Sequence, residues 1–302
     1  MIVYAVPSEG IFGGIKVAYQ TVDALLSLGV SACIATPDGR ASQWFRSSAP
    51  VLARAEALSR MSDDDLLMFS LPHDYVDLKA SGRRLVFHCQ GTNPLIDPVI
   101  CDPDVELLAC WRQAREYTVE IAGRESTDVG IQVTESFFYA GQTKLASRVS
   151  YMPRRGAETA RRIALANPQL RLEPIDGLDE DGVAARLAVS SVFIASSEGE
   201  AFGLPALEAM ASGCIVLSVP VVGGTEFLRD GDNCFYGDVD HLARSAKLLT
   251  DPASRERLSR MRNSAVATAL RYRPAVSRGK LERWAACLSE AQRGPFGEVS
   301  GG

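Results

Sequence analysis

The chain has 302 residues, of which 46% are hydrophobic, 23% charged and 7% aromatic, with a mean hydropathy of +0.01. That is too long for one ordinary domain of ~100–150 residues and too apolar for disorder, and no window reaches the ~18 uninterrupted apolar residues of a membrane helix. Thirty-two basic against 37 acidic residues leave a net charge of −5, which argues against a nucleic-acid partner.

In chain order, short apolar runs alternate with longer amphipathic stretches, the pattern of strand–helix units on a parallel sheet. Ile2–Val6 reads as a strand ending at Pro7. Val17, Leu25, Leu26 and Leu28 then recur at helical spacing until Gly29, a natural helix stop. Ser31–Ala35, Leu66–Ser70, Leu85–Cys89 and Gly130–Thr134 read as further strands, giving a first domain over 1–147. A second series opens with strand Val149–Met152, followed by helix Ala157–Ala166, strand Leu170–Pro174 and helix Asp179–Ala188. Strands Ser191–Ala195, Ile215–Ser218 and Cys234–Tyr236 complete a second domain over 148–250. Residues 251–302 read as helices broken at Pro274, with a frayed Gly/Ser-rich tail from Gly294. Two such sheets imply a cleft, since α/β proteins bind ligands outside the carboxyl ends of their strands.

Seven cysteines, at 33, 89, 101, 110, 214, 234 and 287, include no C-x-x-C pair and read as buried reduced thiols. The opening Met-Ile-Val-Tyr-Ala-Val has neither the basic start nor the long apolar stretch of a signal peptide, so a cytoplasmic location is expected.

The most informative segment is Ser196-Ser197-Glu198-Gly199-Glu200-Ala201-Phe202-Gly203-Leu204-Pro205-Ala206-Leu207-Glu208. It combines a strand end, a Gly-containing loop and a helix opened by Pro205. Backbone N–H groups around Phe202, Gly203 and Leu204 fall at a helix start, where the dipole favours an anion such as phosphate. Glu200 and Glu208 flank that anion site. Carboxylates are poor phosphate ligands but good acceptors for sugar hydroxyls, and a nucleotide diphosphate sugar presents an anionic centre between two polyols.

Glu200, seven residues, then Glu208, with Phe202-Gly203-Leu204-Pro205 between them, resembles the E-x7-E signature of retaining glycosyltransferases of family 4. Ser218–Glu226 and Asp230-Gly231-Asp232-Asn233 resemble the same family's next loop and strand, and Gly13-Gly14-Ile15-Lys16-Val17 its Gly-Gly loop. The resemblance is tight over 191–240 and loose elsewhere. It implies an α/β fold of two Rossmann-like parallel-sheet domains facing a cleft (GT-B), with a shortened C-terminal domain, because Met152 to Ser191 holds only about two strand–helix units. It implies that Glu200, in the loop with Ala201, contacts the transferred sugar, and that Glu208 contacts the nucleotide ribose. It also implies His88 near the donor sugar, with Gln90 as a second candidate, since His88-Cys89-Gln90 ends an apolar strand; a histidine satisfied by local backbone groups is the alternative. The family has glycine where this chain has Ala201, and Glu198 lies close enough to Glu200 to leave open which one faces the sugar. The family's basic pair for the diphosphate, an Arg and a Lys a few residues later, has no clear counterpart here; Pro153-Arg154-Arg155 occupies the equivalent strand-to-helix turn, where either arginine suits phosphate oxygens. Amides of Gly13 and Gly14 offer a second phosphate contact, or an ordinary tight turn.

The chain lacks G-x-G-x-x-G and an acid at the expected ribose position, which argues against an NAD enzyme. The D-x-D strings at Asp63–Asp65, Asp102–Asp104, Asp230–Asp232 and Asp238–Asp240 fall in turns or at a helix cap and read as turn acids, so no metal site and no cofactor are expected. His73, His241, Arg161 and Arg162 read as surface residues. The expectation is therefore a metal-independent glycosyltransferase acting by front-face substitution, in glycan or surface-polysaccharide synthesis. Its partners are a nucleotide-sugar donor and a glycan, lipid-linked or small-molecule acceptor; a peripheral membrane association is compatible with such acceptors, and the oligomeric state stays open. Two alternatives stand beside it: a catalytically weak nucleotide-sugar-binding subunit that needs a partner, and a Rossmann oxidoreductase.

Overall fold

The computed structural model describes residues 1–197, 199–223 and 225–292. The chain divides into two compact units. The first comprises Met1–Ser42, Ser47–Ile131 and the chain from Ala275; the second comprises Gln43–Arg46 and Gln132–Pro274.

The first unit runs β1 (Ile2–Ala5), α1 (Gly13–Ser27), β2 (Ala32–Thr36), β3 (Val51–Ala53), α2 (Arg54–Arg60), β4 (Leu66–Phe69), α3 (Tyr75–Ala80), β5 (Arg84–Cys89), α4 (Asp97–Ile100), β6 (Val105–Ala109), α5 (Arg112–Ala122) and β7 (Thr127–Asp128). The strands form a parallel sheet in the order β3-β2-β1-β4-β5-β6-β7. Every residue of β1, β2 and β4 is buried, as expected for a sheet covered on both faces. The order reverses between β1 and β4, the kind of switch point where open α/β sheets present loops to ligands.

The second unit runs β8 (Leu145–Tyr151), α6 (Ala157–Leu165), β9 (Arg171–Pro174), α7 (Glu180–Val189), β10 (Ser190–Ala195), α8 (Leu204–Ala211), β11 (Ile215–Ser218), β12 (Phe235–Tyr236), α9 (Val239–Ala246) and α10 (Arg255–Ala269). Its strands are parallel in the order β12-β11-β10-β8-β9, with the reversal beside β8. Val149, Ile163, Ile194, Leu217 and Met261 belong to its core. Between β8 and β10 lie α6, β9 and α7, the two units that the short stretch after Met152 implied.

The two parallel sheets expected from the sequence are present. Four details differ. Gly130–Thr134 is not a strand: the sheet ends with Thr127–Asp128, Gly130 turns the chain at φ +73, and Val133 N–H donates to Tyr272 O instead of to a strand. Strands β3, β6 and β7 escaped the sequence reading. The helical stretch expected as one C-terminal part is shared out: α10 belongs to the second unit, whereas α11 (Pro274–Gln292) packs in the first. There Trp284 Nε1 donates to Glu106 at 2.6 Å and Lys280 to Asp128 at 2.8 Å. Cys101 and Cys287 are exposed, while the other five cysteines are buried, and all seven are free thiols. The tail from Gly294 lies outside the described residues.

Candidate functional site

The motif folds as the sequence indicated. β10 ends at Ala195, a loop follows, and α8 opens at Leu204 with Pro205 in its first turn. Gly203 precedes the helix at φ +91, a left-handed conformation that glycine adopts without strain. Among the described residues no side chain caps this helix start; Pro205 has no N–H, and the N–H groups of Ala206 and Leu207 donate to Gly203 O, so the amides that could face an anion are those of Gly203 and Leu204. The loop is held from behind by Val222 N–H and Gly223 N–H, which donate to the carbonyls of Glu200 and Ala201 at 2.8 Å each. Phe202 is buried against Phe227 and Tyr272, with ring centroids 5.2 and 6.0 Å apart, so its ring serves the core.

A pocket of about 340 Å³, counting its open mouth, lies at the carboxyl ends of β8, β10 and β11. Met152, Ser196, Glu200, Gly203, Pro205 and Ser218 are among its lining. Glu200 meets Arg155 there, with Arg155 Nη2 donating to Oε2 at 3.1 Å. Arg155 has φ +67, the one non-glycine residue with positive φ among the described residues. Such a conformation is costly for a residue that carries a Cβ and tends to mark functional sites.

The neighbour that forces this turn is Gly156. A Cβ there would lie 2.4 Å from Ser196 Oγ and 2.7 Å from its carbonyl carbon. Backbone therefore packs against backbone, and Ser197 Oγ adds a hydrogen bond to Arg154 O at 3.2 Å. The β8–α6 turn is thus clipped onto the motif loop, which is how Arg155, distant in sequence, comes beside Glu200. Ser196 itself is 2% exposed, and its Oγ has no hydrogen-bond partner among the described residues. Neither Gly156 nor Ser196 was singled out by the sequence reading; the Arg-Arg-Gly turn was the available signal.

Glu208 sits in the second turn of α8 and is 7% exposed, outside the lining of the pocket that holds Glu200. Glu198 lies outside the described residues. Arg161 and Arg162 make only long ion pairs, 4.0 Å to Glu158 and 4.0 Å to Asp240, as befits a solvated face.

In the first unit, Gly13 and Gly14 open α1, and both are exposed. His88 is a correction to the sequence expectation. It is fully buried in β5, with Nδ1 at 3.0 Å from Tyr4 Oη and Nε2 at 3.0 Å from Cys110 Sγ. Burial pushes its pKa down to about 4, so the ring is neutral and both nitrogens are engaged by protein. Just past this strand end, Gln90 is half-buried, and its Nε2 donates to Tyr4 Oη at 3.1 Å.

The D-x-D acids serve turns and caps. Asp102 is bound by Lys79 and Tyr75, which hold its pKa down at about 2. Asp230 accepts from Tyr236 N–H at 2.8 Å and lies 3.1 Å from His241 Nε2, while Asp238 caps α9. No group of three or more His, Cys, Asp or Glu among the described residues is arranged to hold a metal ion. No described helix is long and apolar enough to cross a membrane.

Residues 165–265 match the family model described as Glycosyl transferases group 1. A comparison with curated proteins finds no match. Among solved structures, a glycosyltransferase from Rickettsia africae is 13% identical with a TM-score of 0.70, over 97% of this chain and 99% of that one. Sucrose-phosphate synthase from Thermosynechococcus elongatus is 14% identical with a TM-score of 0.71, over 96% and 99%. Anabaena HepE in complex with UDP and glucose is 12% identical with a TM-score of 0.74, over 95% and 99%. At these identities the likeness is one of fold: two parallel-sheet α/β domains of the GT-B type.

Proposed function

We propose that the protein is a retaining glycosyltransferase that moves a sugar from a nucleotide diphosphate sugar to an acceptor hydroxyl. The observation that carries the reading is the pocket at the carboxyl ends of β8, β10 and β11. It brings Arg155 and Glu200 together beside the uncapped start of α8. A carboxylate lining the pocket, a cation paired with it and a helix start beside them suit a ligand that is anionic at one end and polyhydroxylated at the other. The match of residues 165–265 to group 1 glycosyl transferases supports the same reaction class.

In this reading Arg154 or Arg155, with the amides near Gly203 and Leu204, takes the diphosphate and stabilises its charge as it leaves. Glu200 accepts hydrogen bonds from hydroxyls of the transferred sugar, and Glu208 from the ribose. No carboxylate of the motif is assigned as a covalent nucleophile, which suits front-face substitution with retention. The acceptor belongs mainly to the first unit, whose Gly13 and Gly14 amides would face a donor phosphate and whose Gln90 would face the donor sugar. No metal is assigned, and the rate is expected to survive EDTA.

The test is a thermal-shift screen of nucleoside diphosphates and their sugars, because any ligand of the native state raises its apparent stability. Anabaena HepE was solved with UDP-glucose, which makes uridine nucleotides the first to try. At least one should raise the melting temperature, and Arg155→Asn, which tolerates left-handed backbone, should shrink that rise. No shift with any member of the panel would refute the reading.

A further inference from the structure

We propose that the buried chain Cys110–His88–Tyr4 is a positioning device. It fixes the carboxamide of Gln90 beside Gly14 so that the amide oxygen accepts a hydrogen bond from a sugar hydroxyl of the substrate. The inference rests on the proposed glycosyl transfer and adds Tyr4 and Cys110, which no motif pointed to.

Tyr4 in β1, His88 in β5 and Cys110 just beyond β6 are almost wholly buried, at 0%, 0% and 2% exposure. A neutral imidazole has one donor and one acceptor nitrogen, and a phenol and a thiol can each take the complementary role. In either tautomer the ring is therefore held from both sides, by Tyr4 at 3.0 Å and Cys110 at 3.0 Å. Tyr4 Oη in turn accepts from Gln90 Nε2 at 3.1 Å. That bond turns the amide oxygen of Gln90 the other way, and Oε1 has no hydrogen-bond partner among the described residues.

Gly14 makes the arrangement one of close fit. A Cβ at position 14 would lie 2.7 Å from Gln90 Oε1. An untethered glutamine would swing aside at little cost, but this one is anchored to Tyr4 by its other amide atom. Three buried polar groups are not what a sheet core needs for stability, since phenylalanine and leucine would fill the same volume without desolvating anything. Fully bonded, they do specify one geometry. A carbonyl oxygen repels phosphate and accepts from hydroxyls, so the ligand group it selects is a hydroxyl.

The test uses the full chain and a nucleotide sugar that the wild-type protein turns over or hydrolyses. Tyr4→Phe, Gln90→Leu and Gly14→Ala should each raise one KM by roughly 3- to 30-fold, with a smaller change in kcat and unchanged affinity for the sugar-free nucleoside diphosphate. A raised KM for the nucleotide sugar places the hydroxyl on the donor, and a raised KM for the acceptor places it there. Tyr4→Phe combined with Gln90→Leu should be no worse than Gln90→Leu alone, because both remove one contact. If Tyr4→Phe only lowers the melting temperature and leaves both KM values at wild type, the chain is structural and the inference is wrong. Multiplying losses in the double variant would also overturn it. A wild-type protein that turns over no nucleotide sugar would refute the proposed function and this inference together, whereas an active protein indifferent to Tyr4→Phe refutes the inference alone.

Discussion

At the scale of single residues, two side chains named by the same resemblance ended in opposite situations. Glu200 lines an open pocket with a cation beside it, while His88 is sealed in the core with both nitrogens used. The sequence could not separate them, because β5 is buried on both faces from Leu85 to Cys89, and an apolar run does not mark where along it the burial ends. Two residues further on, past the strand end, Gln90 is half-buried. His88 carries a pH signature of its own. Its folded pKa of about 4 lies below the ordinary histidine value, so the folded state disfavours the proton that the unfolded chain accepts. The stability it contributes is complete above about pH 6.5 and is lost as the pH falls from there toward 4. Between pH 7 and 5 that loss should be roughly 2 kcal/mol. Denaturation midpoints at the two pH values should show it, and His88→Asn should flatten the difference; an equal pH slope in the variant would remove the assignment. For Glu208, the ribose role predicts that Glu208→Ala weakens nucleoside diphosphate binding by about 1–3 kcal/mol, the range for charge-assisted hydrogen bonds. Unchanged affinity by calorimetry in a folded variant would contradict it.

At the scale of elements, legibility followed burial. β1 and β4 are buried throughout and stood out as unbroken apolar runs. β6 was hidden by Glu106, a charge in mid-strand whose carboxylate is taken by Trp284 Nε1. β3 is only half-buried at the sheet edge, and β7 has two residues, too short for any period to register. Ile131 and Val133 imitate strand alternation, yet they are buried along an irregular segment. The element on which the proposed function leans most is the β8–α6 turn, where Gly156 lets backbone meet backbone at Ser196. Gly156→Ala should cost about 1–3 kcal/mol, as overpacking does, because neither neighbour is a flexible side-chain tip. It should also weaken diphosphate binding, since Arg155 is displaced from Glu200. Wild-type stability and binding in this variant would mean that the two loops are not clipped together.

At the scale of the whole chain, the two parallel sheets were legible. The partition of the chain was not. Pro274 was correctly placed as a break, but a proline in a helix's first turn starts that helix as readily as it ends another. α11 then packs in the first unit through Trp284 and Lys280, long-range contacts that carry no local signal. The site was legible in so far as it is contiguous. Glu200 to Glu208 could be read as a string, whereas the neighbourhood of Arg155 and Ser196 depends on pairing between β8 and β10. The measurement that tests the central claim most directly is release of nucleoside diphosphate from a panel of nucleotide sugars by the purified wild-type protein and by Glu200→Gln. The substitution removes an exposed ion pair worth ~0–1 kcal/mol, so folding should be little changed. Turnover by the wild type, falling by one to several orders of magnitude in Glu200→Gln while the variant still binds the free nucleoside diphosphate, is the predicted result. Equal turnover by the two proteins, or none from any donor by the wild type, would contradict the account.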